Sequence, residues 1–283
     1  MKVLSKKINK QHTIKDTALI DGIGLHSGNE VKLKFNPAPI DTGIVFMRTD
    51  LKGSPKIKAN VNNVISTNRS TTLGNKKNNI QVQTIEHLMA ALYTYQIDNI
   101  IIEINGSELP ALDGSARVYG ELFDSVELEE QSKKRNVIKV KKGFFVKNQN
   151  SYLGIFPYDG FKINYLIKYN HPLIGTQYFE YEYKKDTFIK EIMPARTFGF
   201  KSEVESLKKA GLALGGSLDN AVLLTQDSTE NSLRFKDEFV RHKVLDLIGD
   251  LYLNGPIQCE VIAIRSGHSD NYEINKMINK IKK

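Results

Sequence analysis

Glu127-Leu-Glu-Glu-Gln-Ser-Lys-Lys-Arg-Asn136 is the stretch on which the fold turns. It is polar and charged, offers few residues to a core, and separates two halves of similar length that each run from strands into helices. On its amino-terminal side, Val31-Lys-Leu-Lys-Phe35 and Gly43-Ile-Val-Phe-Met47, broken by Pro37 and Pro39, read as strands and turns. Residues Thr84 to Tyr95 switch to helix formers with Ile85, Leu88, Met89 and Leu92 on one side, and Asn99-Ile-Ile-Ile-Glu-Ile104 returns to strand. A second helix is expected from Ser115 to Val126. Beyond the divide, strands are expected around Ile138 to Val146, Tyr152 to Phe156 and Phe161 to Tyr169, and helices near Lys201 to Lys209, Asp237 to Leu253 and Asn271 to Lys282. A strand, Cys259 to Arg265, precedes the last helix. The expected fold is therefore α+β: two domains of similar topology, residues 1–128 and 135–283, each a sheet layer packed with helices. No clear internal sequence repeat accompanies the repeated order of elements.

At 283 residues and 40% hydrophobic content, the chain is long enough for one or two domains with substantial cores. No apolar run approaches membrane-spanning length. The basic start, Met1-Lys-Val-Leu-Ser-Lys-Lys-Ile-Asn-Lys10, lacks the apolar core and small-residue cleavage site of a secretory signal, so a cytoplasmic location is expected. Cys259 is the only cysteine, which excludes an intramolecular disulfide and a cysteine-ligated zinc finger. The net charge of +8 favours anionic partners. Much of the excess, however, lies in short scattered groups such as Lys133-Lys-Arg135 and the Lys280-Ile-Lys-Lys283 tail, which more often coat a solvated surface than line a groove.

Chemistry concentrates in a few positions. His242 and Asp246 are four residues apart in a helical segment and project from one face, so they can grip one small cation. His87 can close a three-ligand set, and two imidazoles with one carboxylate are typical of catalytic zinc, which keeps a fourth position open. Glu86, beside His87 in the first helical turn, stands where a general base can reach a bound water; an acidic residue in a first turn is also ordinary helix chemistry. Asp250 extends the His242 and Asp246 stripe. His268, in Ser266-Gly-His-Ser269 after a strand, is expected on a loop, where contact with Asp250 would favour the imidazolium and place an acid opposite the base Glu86 across the metal. Gly249, inside a helix, hints at close approach by another segment, although helices tolerate an occasional glycine. Gly211-Leu-Ala-Leu-Gly-Gly-Ser217 matches no nucleotide-binding fingerprint, and Gly22-Ile-Gly-Leu-His-Ser-Gly28 reads as a turn. His12, His26 and His171 are read as local structure. Two other functional classes stay open on the residues alone. A mononuclear iron oxygenase also uses two histidines and a carboxylate, but its usual His-x-Asp spacing is absent. A basic RNA-binding protein would need interleaved aromatic and basic residues that are missing here.

Taken in order along the chain, Gly22-Ile-Gly-Leu-His-Ser-Gly28, Thr84-Ile-Glu-His-Leu-Met-Ala-Ala-Leu92, Leu109-Pro-Ala-Leu-Asp-Gly-Ser115, Ala195-Arg-Thr-Phe-Gly-Phe200, Arg241-His-Lys-Val-Leu-Asp-Leu-Ile-Gly-Asp-Leu251 and Ser266-Gly-His268 resemble the UDP-3-O-acyl-N-acetylglucosamine deacetylases, zinc amidases of lipid A biosynthesis. The resemblance spans almost the whole chain. It implies zinc held by His87, His242 and Asp246, Glu86 as general base, and His268 as cationic proton donor beside Asp250. It further implies that Thr197 hydrogen-bonds the oxyanion, Phe198 packs on the substrate and Lys243 meets its polar or phosphate groups. An apolar passage for the acyl chain would involve Phe200, Val204, Ala213, Gly216, Ser217, Ala221 and Leu223, with Arg265 toward the diphosphate. The implied reaction releases acetate in the committed step of the pathway. The implied partner is the UDP-sugar substrate, with no other nucleic-acid component; a monomer is favoured and peripheral membrane association stays open. After Gly267-His268 the chain departs from the family pattern with Ser269-Asp-Asn-Tyr272, where Asp270 places an extra negative charge near the expected acid.

Overall fold

The structure, a computed structural model, describes residues 10–281. The basic start before Lys10, and Lys282 and Lys283 at the expected end of the last helix, lie outside the described residues.

Each half is built on a sheet whose strands follow the same path. In the first, the order is Ala18–Ile23, Glu30–Pro37, Ile100–Ile104, Ile44–Arg48 and Lys56–Lys58. In the second it is Phe144–Lys147, Tyr152–Phe156, Ile257–Ile264, Phe161–Lys168 and Thr176–Glu182, with Ile138–Lys139 added alongside Ile257–Ile264. Neighbouring strands run antiparallel, antiparallel, parallel, antiparallel in both. The central strand of each sheet is the last of its half in sequence. Alternation decides which face is covered: Val31, Leu33 and Phe35 point inward while Lys32 and Lys34 are exposed.

A helix precedes each central strand and another follows it. In the first half these are Glu86–Thr94 and Arg117–Ser125; in the second they are Glu238–Leu251 and His268–Ile281. The two preceding helices occupy equivalent places in the two halves and pack against each other in the middle of the molecule, which is why both are buried on almost every side. Gly249 permits this: a Cβ there would lie 2.0 Å from the backbone carbonyl oxygen of Glu86. The glycine is thus a requirement of the crossing. The polar stripe of His242, Asp246 and Asp250 faces into the protein, along with Val244, Leu247, Ile248 and Leu251.

The dividing stretch is itself ordered. Leu128–Lys134 forms a strand paired antiparallel with Lys10–Ile14, and Lys10 stands opposite Lys134. Its charge fits the exposed strand of this two-stranded ribbon, laid against the largely buried Lys10–Ile14, and Glu130 meets Lys10 at 2.8 Å and Glu127 meets Lys15 at 2.6 Å. His268 also differs from expectation, because it is the first residue of the final helix rather than part of a loop.

Between the fourth strand and the buried helix, each half carries an insert. The first is a three-stranded sheet, Val64–Ser66, Thr72–Asn75 and Ile80–Val82. The second contains the parallel pair Phe198–Phe200 and Val222–Leu224 and the helix Lys201–Lys209. Both inserts reach the same cavity.

Candidate active site

Glu86 and His87 open the first buried helix, and His242, Asp246 and Asp250 lie one turn apart on the second. The start of the second helix is pinned by a buried ion pair, Arg196 to Glu238 at 2.9 Å, and Arg196 leads directly into Thr197. Thr197 is held on both sides: its N–H donates to Gly114 O at 2.8 Å and its carbonyl accepts from Val222 N at 2.8 Å. Gly114 has φ +79°, and a Cβ would lie 2.0 Å from the Asn220 carbonyl oxygen, so the Asp113-Gly-Ser115 turn closes tightly on the second insert.

These elements surround a cavity of about 300 Å³ lined by Glu86, His87, His242, Lys243, Asp246 and His268, with Thr197, Phe198 and Phe200 on its wall. Asp246 Oδ1 lies 3.5 Å from His87 Nε2 and 3.4 Å from His242 Nε2; it is buried and has no hydrogen-bond partner. Such an orphaned carboxylate oxygen is costly unless something positive engages it. The donor atoms of the three residues all lie within 4.8 Å of one another, so they could hold a metal ion. A tetrahedral ion with bonds of about 2.0–2.2 Å separates its donors by roughly 3.4 Å, which matches both measured spacings. His242 supports this fit because its Nδ1 contacts Ala195 O at 3.0 Å, which fixes the ring and leaves the Nε2 lone pair toward the cavity. Burial pulls the His242 pKa down to about 4, against the pull of Asp246, so the ring is neutral.

The charges form one buried network. Asp246 resists burial and is held well below the carboxylate range by His242 and Lys243, whose Nζ sits 2.8 Å from Oδ2. Burial favours a neutral Lys243, yet Asp246 overrides it and raises its pKa. His268 Nδ1 contacts Asp250 Oδ2 at 2.8 Å, and the remaining capacity of Asp250 is met by Thr71 Oγ1 at 2.6 Å and Asn271 Nδ2 at 2.8 Å. Burial alone would deprotonate His268, but Asp250, Glu86 and Asp246 together raise its pKa to about 9. Glu86 is raised by burial and lowered less by His268 and His87. Its Oε1 lies 3.9 Å from His268 Nε2, so the expected base and acid are close neighbours.

Asp270 caps the final helix, accepting from Gly267 N at 3.3 Å and from Asn148 Nδ2. The negative groups acting on His268 are Asp250, Glu86 and Asp246.

The other expected positions are spread more widely. Phe198 stacks edge-on against Phe239 with centroids 5.0 Å apart, and Phe200 lies 6.0 Å from Tyr169. Val204, Ala221 and Leu223 are half-buried, while Gly216 and Ser217 are exposed. Ala213 lies against His26, whose Nδ1 accepts its N–H at 3.4 Å. None of these six lines the cavity. Arg265 lines a neighbouring hollow of about 270 Å³ with Lys168, Asn170 and Tyr169, and Tyr169 is common to both spaces.

Several cavity residues escaped the sequence reading, including His26, Arg69, Thr84, Tyr169 and Glu203. His26 belongs to the glycine-rich stretch read as a turn, where Glu108 accepts from the N–H groups of His26 and Ser27 at 2.8 and 2.7 Å. Thr84 carries φ +60°, rare for a β-branched residue, two positions before the helix Glu86–Thr94, and its hydroxyl is held by the same Glu108 at 3.2 Å. Arg69 and Glu203, one from each insert, pair at 2.9 Å.

Comparison with known proteins matches residues 11–280 to the model of the LpxC family, described as UDP-3-O-acyl N-acetylglycosamine deacetylase. Proteins named UDP-3-O-acyl-N-acetylglucosamine deacetylase are similar along most of the chain. The one from Thioalkalivibrio sulfidiphilus is 41% identical over 93% of this chain and 87% of its own length. That from Teredinibacter turnerae is 42% identical over 96% and 90%, and that from Bdellovibrio bacteriovorus 40% identical over 96% and 89%. With the family model covering nearly every described residue, the chain belongs to the UDP-3-O-acyl N-acetylglycosamine deacetylase family.

Proposed function

We propose that this chain hydrolyses the N-acetyl group of UDP-3-O-acyl-N-acetylglucosamine in lipid A biosynthesis, releasing acetate, with one zinc ion held by His87, His242 and Asp246. The observation that carries the reading is the unpaired, buried Asp246 Oδ1 facing two imidazole Nε2 atoms at 3.4–3.5 Å. When bound, zinc supplies a Lewis acid for the amide carbonyl and makes a coordinated water easier to deprotonate.

Glu86 takes the proton of the attacking water. Its Oε2 is engaged by Thr71 N–H at 3.1 Å, which leaves Oε1 as the accepting atom, and burial raises its proton affinity toward that task. Attack forms the new C–O bond, and the Thr197 hydroxyl donates to the developing oxyanion. His268, held by Asp250 through Nδ1, gives its Nε2 proton to the amine nitrogen as the C–N bond breaks. Lys243 meets polar groups of the substrate, and Phe198 packs on it. Phe200 lines the cavity, while Val204, Ala213, Gly216, Ser217, Ala221 and Leu223 lie beyond its wall in the second insert and would flank the acyl chain only where it leaves the cavity; Arg265 with Lys168 faces the diphosphate. Residues 1–128 and 135–283 act as two domains that each supply part of the site. A nucleotide-sugar substrate and a single buried cysteine fit a cytoplasmic location, and no helix among the described residues is long and apolar enough to cross a membrane.

The test is acetate release from UDP-3-O-acyl-N-acetylglucosamine by native, chelator-treated and zinc-restored protein, alongside Glu86→Ala. Release that disappears on chelation, returns with zinc and collapses in the variant is expected. No release from zinc-loaded native protein would end this reading.

A further inference from the structure

We infer that Thr71 is a positioning residue that ties the base and the acid of the site to one rigid point. This rests on the deacetylase reading above. Thr71 is 2% exposed and sits immediately before the strand Thr72–Asn75 of the first insert, an element with no helix of the site in it. Its backbone N–H donates to Glu86 Oε2 at 3.1 Å and its hydroxyl donates to Asp250 Oδ1 at 2.6 Å. One residue therefore reaches the carboxylate that receives the water proton and the carboxylate that orients the proton donor.

Donor counting fixes the direction of each bond. A carboxylate only accepts, so His268 Nδ1 must carry the proton it shares with Asp250 Oδ2, and the single Thr71 hydroxyl proton must go to Oδ1. Thr71 Oγ1 also lies 3.4 Å from His268 Nδ1, so the hydroxyl, the carboxylate and the ring are packed together. Asn271 already shares Oδ2 with His268. Without the hydroxyl, Oδ1 would be a buried acceptor lacking this donor, and rotation of the carboxylate toward another partner would carry the His268 ring with it. The Glu86 contact is made by the backbone and survives a side-chain change, so the two arms can be separated experimentally.

The experiment uses the full chain loaded with zinc and compares wild type with Thr71→Val, which keeps shape and N–H but loses the hydroxyl, and Thr71→Ser, which keeps the hydroxyl. Steady-state acetate release, zinc content and melting temperature are measured for each. Thr71→Val is expected to lower kcat by about 10–100-fold, the usual effect of losing an orienting partner, with KM within about twofold and zinc content unchanged. Thr71→Ser should restore kcat to within about threefold of wild type, which a purely steric role for the methyl group would not produce. Wild-type turnover in Thr71→Val, or an equal loss in Thr71→Ser, overturns the inference. Absence of zinc-dependent release by the wild-type chain is a different result: it sinks the deacetylase reading, and the inference with it, before any variant is compared.

Discussion

His268 shows how far a single residue's surroundings set its chemistry. Burial disfavours its charge, yet three carboxylates bring its pKa to about 9, so the ring is protonated at neutral pH. Activity should fall as pH rises through about 9. It should also fall on the acid side at a pH above the ordinary glutamate value, because burial raises the Glu86 pKa. In a kcat/KM profile, His268→Gln should abolish the alkaline limb and cost roughly 10²–10⁴-fold in rate; a wild-type profile flat to pH 10 would contradict the assignment. The same shift has a stability consequence. A group whose pKa is raised on folding stabilises fully below its unfolded value of 6.5, and that contribution is lost as pH passes about 9. The candidate metal ligands His87, His242 and Asp246, and the Glu86 and His268 pair that the structure brings to the same cavity, were picked out because short spacings and a distinctive order of motifs carry them. Thr71 and Arg69 were not, since Asn68-Arg-Ser-Thr-Thr72 has neither helical nor clear strand periodicity and gains its importance only from what the insert touches.

At the scale of elements, the two buried helices were the most readable features, as both combine apolar faces with helix-forming residues. What the sequence could not say is that they meet. Gly249 carried that information, but a glycine within a helix is ambiguous until the Glu86 carbonyl is placed 2.0 Å from its missing Cβ. Gly249→Ala therefore sets a helix-propensity gain of about 1 kcal/mol against an overpacking cost of about 1–3 kcal/mol. The steric cost should win because the clash is with backbone. We expect lower stability in urea and a larger relative loss of activity, since the displaced element carries Glu86 and His87; a variant as active and stable as wild type would show that the crossing can yield. The dividing stretch taught the opposite lesson: its polarity correctly marked a place outside the core, while its pairing with Lys10–Ile14 depends on a partner more than a hundred residues away.

Over the whole molecule, the halves are joined by more than the site. Arg135, just past the ribbon, pairs with Asp98 at 2.8 Å and reaches Gln96 and Tyr252, with both charged side chains largely buried. Arg135→Ala should cost about 3–5 kcal/mol, because Asp98 is left without its cation, and urea unfolding would measure it. Chelation of zinc-loaded protein should lower the melting temperature as well as the activity, by mass action on a site drawn from both halves. An unchanged melting temperature would argue against metal held across the junction. The division of the site also orders events during synthesis. Glu86 and His87 leave the ribosome well before His242, Asp246 and His268 are made, although all five line one cavity in the folded chain. A nascent chain thus lacks part of the site through most of its translation, and the full set of cavity side chains exists only once His268 has been added.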